Sequence, residues 1–284
     1  MVNQNNNQNK EPPIIPTPLT IRNKLNSPQC NFGLYSPRMV SWTVNKKGEL
    51  KSDEGYMQKL SDKSIKLYPG LNRLLKKKHE QQNYYLTTLK GVQILTIPAE
   101  LSSPFITGLG SGHPTETGMI LDRNLGIPYI PASSVKGVLR LACAINIARK
   151  NESNEVDLED KTLVKYFGSE SDNNPKRGQL VILDVYPKAI SGLKVDIMNP
   201  HFQKYYDGTN KQPVETENPV PIKFLTVPKG TEFVFNLAFI PLKKEDKCDE
   251  NELNDIITTA FETVGFGEKT SVGYGRFKRI RPQQ

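Results

Sequence analysis

Apolar residues recur along this chain at two spacings, and the change from one to the other marks its elements. At Val135, Val138, Leu139, Ala142 and Ile145 they fall near i, i+3, i+4, i+7 and i+10, the period of one buried helical face. That spacing predicts a helix of roughly four turns. It is entered through Ile130-Pro-Ala-Ser-Ser134, where Pro131 keeps Ile130 extended and either serine is placed to accept hydrogen bonds from first-turn amides. Lys161–Phe167 predicts a second helix, closed by Gly168 as a left-handed cap. A third runs from Asp249 to Val264, apolar at Leu253, Ile256, Ile257, Ala260 and Phe261.

Alternating, β-branched stretches predict strands at Gly91–Ile97, Gly178–Pro187 and Leu193–Met198. Ile222–Val227 and Thr231–Ile240, linked by Pro228-Lys-Gly230, read as a hairpin. Before Lys90 the pattern is weaker. Trp42–Val44 is a short strand, Lys46-Lys-Gly48 a turn, and Gly70–His79 a helix with Leu71, Leu74 and Leu75 as its stripe. Residues 1–20, rich in Asn, Gln and Pro, read as a disordered or weakly docked arm. Residues 21–89 form an extension packed on the core or on a partner, and 90–284 form the core. Strand, helix, strand, strand, helix, strand is the split βαβ order, so the expected class is α+β, a modified ferredoxin-like (RRM-like) fold with long insertions and a C-terminal glycine-rich loop.

Charge sharpens this picture. Among 284 residues, 38 Lys and Arg stand against 30 Asp and Glu, a net +8 that favours a polyanionic partner. Cys30, Cys143 and Cys248 are scattered and odd in number, so neither a disulfide framework nor a zinc cluster is expected. No signal peptide or membrane-length apolar run is evident, which fits a cytoplasmic protein without a membrane partner.

Two stretches carry candidate chemistry. In the Ser133 helix, Lys136 sits in the first turn, where amides already present positive charge, and Gly137 follows at a cost of about 1 kcal/mol against alanine. Bare amides, two hydroxyls, a lysine and a missing side chain describe a seat for an anion, most naturally a phosphate. The alternative is a solvated lysine beside a glycine used for packing.

The second stretch, Gly265–Gly275, holds four glycines in eleven residues. A dinucleotide fingerprint fails because Thr270 stands where the third glycine belongs, and a P-loop fails because Glu268 separates Gly267 from Lys269-Thr270. An RRM signature fails at Val272 and Arg276. What remains is flexible backbone flanked by Lys269, Arg276, Lys278, Arg279 and Arg281, a phosphate-tracking composition. His113 with Glu116 is chemically sufficient for RNA cleavage, although the loop reads better as a structural turn or an RNA contact. Tyr205 and Tyr206 are candidates for base stacking, and Lys76–Lys78 read as a solvated helix end or a nucleic-acid contact. No metal-ligand spacing is present, and no cofactor is implied.

The wording Gly108-Leu-Gly-Ser-Gly-His-Pro114, Gly126-Ile-Pro-Tyr-Ile-Pro-Ala-Ser-Ser-Val-Lys-Gly-Val-Leu-Arg140, Phe167-Gly168 and Gly265-Phe-Gly-Glu-Lys-Thr-Ser-Val-Gly-Tyr-Gly-Arg-Phe277 resembles the RAMP superfamily of CRISPR-associated proteins. Within it, the order is most similar to the subunit-six branch of Cmr, type III-B, effectors. The resemblance covers about Lys90 to the C-terminus. It implies a place near the 3′ end of a guide RNA (crRNA), with target RNA, the repeated backbone subunit and subunit one as neighbours. By motif match, Ser133, Ser134, Lys136 and Arg140 would hold guide backbone, as would Lys269, Thr270, Gly273, Gly275 and Arg276, with His113 close by. Sibling backbone subunits carry a target-cutting aspartate in this loop. No aspartate stands at that place here, and Asp122 comes too late, so the resemblance implies binding without catalysis. The competing expectation is a RAMP endoribonuclease that processes guide precursor or cuts target RNA. Ala132 stands where the family more often has glycine.

Overall fold

The computed structural model describes residues 13–45, 47–115, 117–151, 155–169, 175–199, 208–209, 211–212 and 221–280. Its centre is an antiparallel sheet formed by β3 (Gln93–Leu101), β4 (Leu180–Ile182), β5 (Tyr186–Pro187), β8 (Glu232–Phe239) and β9 (Phe277–Arg279). The spatial order is β4-β8-β3-β9, with β5 continuing along β8 beyond β4. Numbered along the chain, these strands lie second, third, first and fourth. α4 (Ala132–Lys150) and α5 (Lys161–Phe167) connect β3 to β4, and α6 (Glu250–Thr259), continued by a π turn at Ala260–Val264, connects β8 to β9. Helices and antiparallel strands thus alternate in an α+β arrangement.

Strand alternation sorts β8 between two layers. Phe233, Phe235, Leu237 and Phe239 are buried on one side, where the Phe235 ring meets Phe261 at 4.7 Å and both Phe266 and Phe277 at 5.3 Å. Asn236 points the other way and donates to Gln82 Oε1 at 3.1 Å. Gln82 belongs to α3, one helix from Tyr56 to Thr88. α3 covers that second face and continues past it. Ser61 Oγ donates to the Leu193 carbonyl at 2.7 Å, and Leu193 N donates to Ser64 Oγ at 2.8 Å. These bonds fix a separate two-stranded sheet of β6 (Lys194–Met198) and β7 (Ile222–Thr226). Ahead of α3 lie α1 (Leu19–Leu25), α2 (Phe32–Arg38) and the pair β1 (Trp42–Val44) and β2 (Leu50–Ser52). Phe32, Tyr56, Leu60, Tyr68 and Leu75 join the same buried cluster as the central sheet.

Several sequence expectations are corrected. The hairpin of Ile222–Val227 with Thr231–Ile240 does not form, because both edges of β8 are taken, by β3 on one side and by β4 and β5 on the other. β7 pairs with β6 instead, and the intervening turn is strapped to the end of β3: Gly230 N donates to Leu101 O, and Phe105 and Val227 exchange bonds of 3.0 and 2.9 Å. The strand expected at Gly178–Pro187 is split by Leu183-Asp184-Val185, where Val185 pairs with Ile130 ahead of α4. Gly168 has φ 90 and ψ 166, a positive φ outside the left-handed helical well. The Gly70–His79 helix is only the middle of α3, and Leu74 faces solvent while Leu75 is buried.

Candidate nucleic-acid interface

The start of α4 is held differently from the serine cap expected. Its N-cap is Pro131, neither Ser133 nor Ser134 caps it, and Asp184 Oδ1 accepts from Ala132 N at 2.8 Å. A carboxylate distant in sequence therefore supplies the negative charge that the first turn lacks. The approach is braced by the Tyr129 and Tyr186 rings, stacked at 5.5 Å and 13°, with Lys78 Nζ 5.0 Å from the Tyr186 centroid. Asp122 Oδ2 accepts from the Tyr186 hydroxyl at 2.8 Å, and its Oδ1 accepts from Asn124 N and Leu125 N. Asp122 is thereby committed to local structure.

Beyond the first amide, α4 presents an open face. Val135, Leu139 and Ala142 are buried, while Ser133 and Ser134 are exposed and Lys136 and Arg140 half-buried. Ser133, Lys136, Gly137 and Arg140 stand at i, i+3, i+4 and i+7 and share one stripe, while Ser134 lies about 100° around the helix from Ser133. A Cβ built on Gly137 would meet nothing within 4 Å. The packing explanation for Gly137 is therefore excluded within this chain's described residues.

The C-terminal glycine loop is built inward. A Cβ on Gly275 would lie 1.8 Å from Phe266 O, and one on Gly267 2.0 Å from Ile106 O, each at positive φ. The loop is stitched to the segment following β3. Gly275 N donates to Pro104 O at 2.8 Å, Glu268 N to Ile106 O at 2.9 Å, and Arg276 N to Ser103 Oγ at 3.0 Å. Glu268 then spans the two glycine-rich loops, its Oε1 and Oε2 accepting from Gly108 N and Leu109 N, both at 2.9 Å. The amides of Gly108 and Leu109 already hold an internal anion.

Arg276 folds back over its own loop. Its Nη2 donates to Thr270 O at 3.0 Å, and burial pushes its guanidinium pKa down. Lys269 is the one described non-glycine residue at positive φ, 56°, a conformation costing on the order of 1–2 kcal/mol for a residue with a Cβ. The tip, Ser271-Val272-Gly273, projects outward, and a Cβ on Gly273 would meet nothing within 4 Å. Thr270 is half-buried at the base of that tip.

His113 is half-buried, and both of its ring nitrogens have partners within the chain. Nε2 lies 2.9 Å from Ser36 Oγ in α2, and Nδ1 lies 2.7 Å from Thr115 Oγ1 and accepts from Thr115 N. With Nδ1 as acceptor, Nε2–H donates to Ser36. Burial holds the imidazole below the ordinary histidine pKa, so the ring is neutral at pH 7. Glu116 lies outside the described residues, as do Tyr205, Tyr206 and Arg281. Sequence reasoning missed Asp184, the Glu268 clamp and the Ser36–His113 bond. Each joins residues far apart in sequence, and no local pattern signals them.

The RAMP superfamily model matches residues 99–278. The chain is 29% identical to the CRISPR system Cmr subunit Cmr6 of Pyrococcus furiosus, over 94% of this chain and 92% of that protein. It is 28% identical to the Cmr6 subunit of Saccharolobus solfataricus, over 57% of this chain and 49% of that one. A chain in the cryo-EM structure of the type III-B Cmr-beta bound to cognate target RNA superposes with a TM-score of 0.58 at 19% identity, covering 80% of this chain and 72% of that chain.

Proposed function

This chain belongs to the RAMP superfamily, and from that premise we propose that it is a non-catalytic, guide-RNA-binding structural subunit near the 3′ end of a type III-B CRISPR (Cmr) ribonucleoprotein. The assembly recognises invading RNA in the cytoplasm. The strand order second, third, first, fourth is read here as the ferredoxin-like plan. The near end-to-end likeness to Cmr6 supports the type III-B assignment, and the backbone subunit and subunit one are the neighbours proposed.

The observation that carries RNA binding is the open stripe of α4. Ser133, Lys136 and Arg140 surround a glycine with empty space in front of it, so a phosphodiester backbone can approach the helix closely. Lys269 and the Ser271–Gly273 tip are assigned to the same strand of RNA. Absence of catalysis is supported by the commitments of His113 to Ser36 and Thr115, and of Asp122 to Tyr186 and its own turn.

Lys136→Ala tests the reading. Affinity for single-stranded guide RNA should fall about tenfold at low salt, the loss expected for one charge-assisted contact, with unfolding unchanged. Unchanged affinity and unchanged assembly with Cmr-type subunits would overturn it. RNA incubated with the purified chain and magnesium should stay intact, and cleavage abolished by His113→Ala would establish the nuclease reading instead.

A further inference from the structure

The exposed face of α3 carries a charge pattern that the folded chain does not use. From Ser64 to His79 the helix holds Lys66, Arg73, Lys76, Lys77 and Lys78 and no carboxylate. Lys78 rests on the Tyr186 ring. Lys66, Arg73, Lys76 and Lys77 are exposed, and none forms an ion pair with a described residue. Arg73 stands at i, i+3 and i, i+4 from Lys76 and Lys77, spacings at which like charges destabilise a helix. The helix dipole gives little relief, because it acts within the last turn and α3 continues to Thr88. Packing does not require these residues either, since the buried side of α3 is formed by Leu60, Leu67, Tyr68, Leu75 and Leu86.

The pattern is also aligned. At 100° per residue, Lys66, Arg73, Lys77 and Tyr84 fall within about 20° of one line, spanning about 27 Å of helix. Tyr84 is 73% exposed, so the line of cations ends in an open aromatic ring, with Tyr85, 48% exposed, about 100° farther around the helix. Two exposed carboxylates lie about 40° to one side of this line, Asp62 one turn before Lys66, where its Oδ1 accepts from Gln58 Nε2, and Glu80 one turn beyond Lys76. Cations in a row followed by stacking surfaces are the composition that tracks a single-stranded nucleic acid.

We propose that this face of α3 is a second RNA-binding surface, separate from the α4 stripe, which holds several nucleotides of single-stranded RNA through Lys66, Arg73 and Lys77 and stacks a base on Tyr84. The choice of RNA over other polyanions rests on the function proposed above; the surface itself does not. It lies wholly before residue 99, where the RAMP superfamily match begins.

The test uses the full chain, a mixed-sequence single-stranded RNA and a salt series. Joint replacement of Lys66, Arg73 and Lys77 by Gln should weaken binding about tenfold or more at low salt. It should also reduce the slope of log affinity against log salt by about 2, roughly 0.7 for each phosphate no longer neutralised. Tyr84→Ala should weaken binding at least fivefold and leave the slope unchanged, because stacking releases no counterions. If the triple variant loses helix content, single replacements, each expected to lower the slope by about 0.7, and a Lys66→Arg, Lys77→Arg variant expected to keep full affinity, decide the matter. Unchanged affinity and slope in the triple variant, with Lys136→Ala still impaired, would overturn this surface and leave the α4 reading standing. The reverse result would uphold this surface and remove the α4 reading. Loss of association with a protein subunit at unchanged RNA affinity would identify an acidic protein as the partner and overturn the proposal.

Discussion

The glycine at the start of α4 and the glycines of the C-terminal loop look alike in sequence and differ in what surrounds them. Around Gly275 and Gly267 the chain's own backbone leaves no room for a Cβ, and the φ of each, 69° and 81°, excludes ordinary residues. Around Gly137 there is ordinary helix and empty space. Gly267 and Gly275 let two segments of this protein pack together, whereas Gly137, like Gly273 at the loop tip, has open space before it. Glycine richness alone therefore marks architecture at Gly267 and Gly275, and the open space before Gly137 is what the proposed RNA contact would use.

The largest test of this contrast is Gly275→Ala. The added methyl meets Phe266 O at 1.8 Å at a positive φ, so either the strap to Pro104 breaks or the aromatic cluster of Phe266 and Phe277 shifts. A loss of roughly 3 kcal/mol in urea unfolding is expected, the sum of a left-handed backbone penalty and overpacking. A variant as stable as the parent would show that the loop is slack and the contrast mistaken.

Glu268→Gln is a smaller perturbation of the same architecture. Glu268 carries both oxygens to the amides of Gly108 and Leu109, and glutamine can accept from only one while turning its own N–H groups toward the other. Stability should drop by about 2 kcal/mol. Amide hydrogen exchange at Gly108 and Leu109 should quicken more than exchange in α4. Equal protection in both variant and parent would mean that the loops are joined by the backbone bonds alone.

What the sequence made legible follows the range of the interactions involved. α5 was readable to the residue because its limits are local, Asp160 accepting from Thr162 N at one end and Gly168 turning at the other. Strand positions for β3, β6, β7 and β8 were also readable from alternation. Which strand pairs with which was not, since the partners of β8 are fixed by competition among segments up to 146 positions apart in register, as between Gln93 and Phe239. α3 was underestimated, since it runs from Tyr56 to Thr88 with Pro69 inside it. The helix passes through it because Tyr68 is buried and bonded to Gly126 O, and Leu67 and Leu75 are packed on either side. At the site, the residue types of the α4 stripe were evident, but the carboxylate that caps it, Asp184, comes from the break between β4 and β5. An anion seat read from bare amides turned out to be partly filled from within, and what is left open is the side-chain face.

Gly137→Ala isolates that remaining face with the smallest change. In a helix interior alanine is favoured over glycine by about 1 kcal/mol, and here the new methyl touches nothing, so the urea midpoint should rise by a corresponding amount. RNA binding should move the opposite way. A methyl standing between Ser133, Lys136 and Arg140 holds a phosphodiester backbone farther from the helix, and affinity should fall about threefold, of the same order as lengthening one good hydrogen bond. The opposed signs give the measurement its force, since a variant that is better folded and binds worse cannot owe its defect to unfolding. If stability rises and RNA affinity stays level, Gly137 is merely a tolerated helix glycine, and recognition must be sought at Lys269 and on α3 instead.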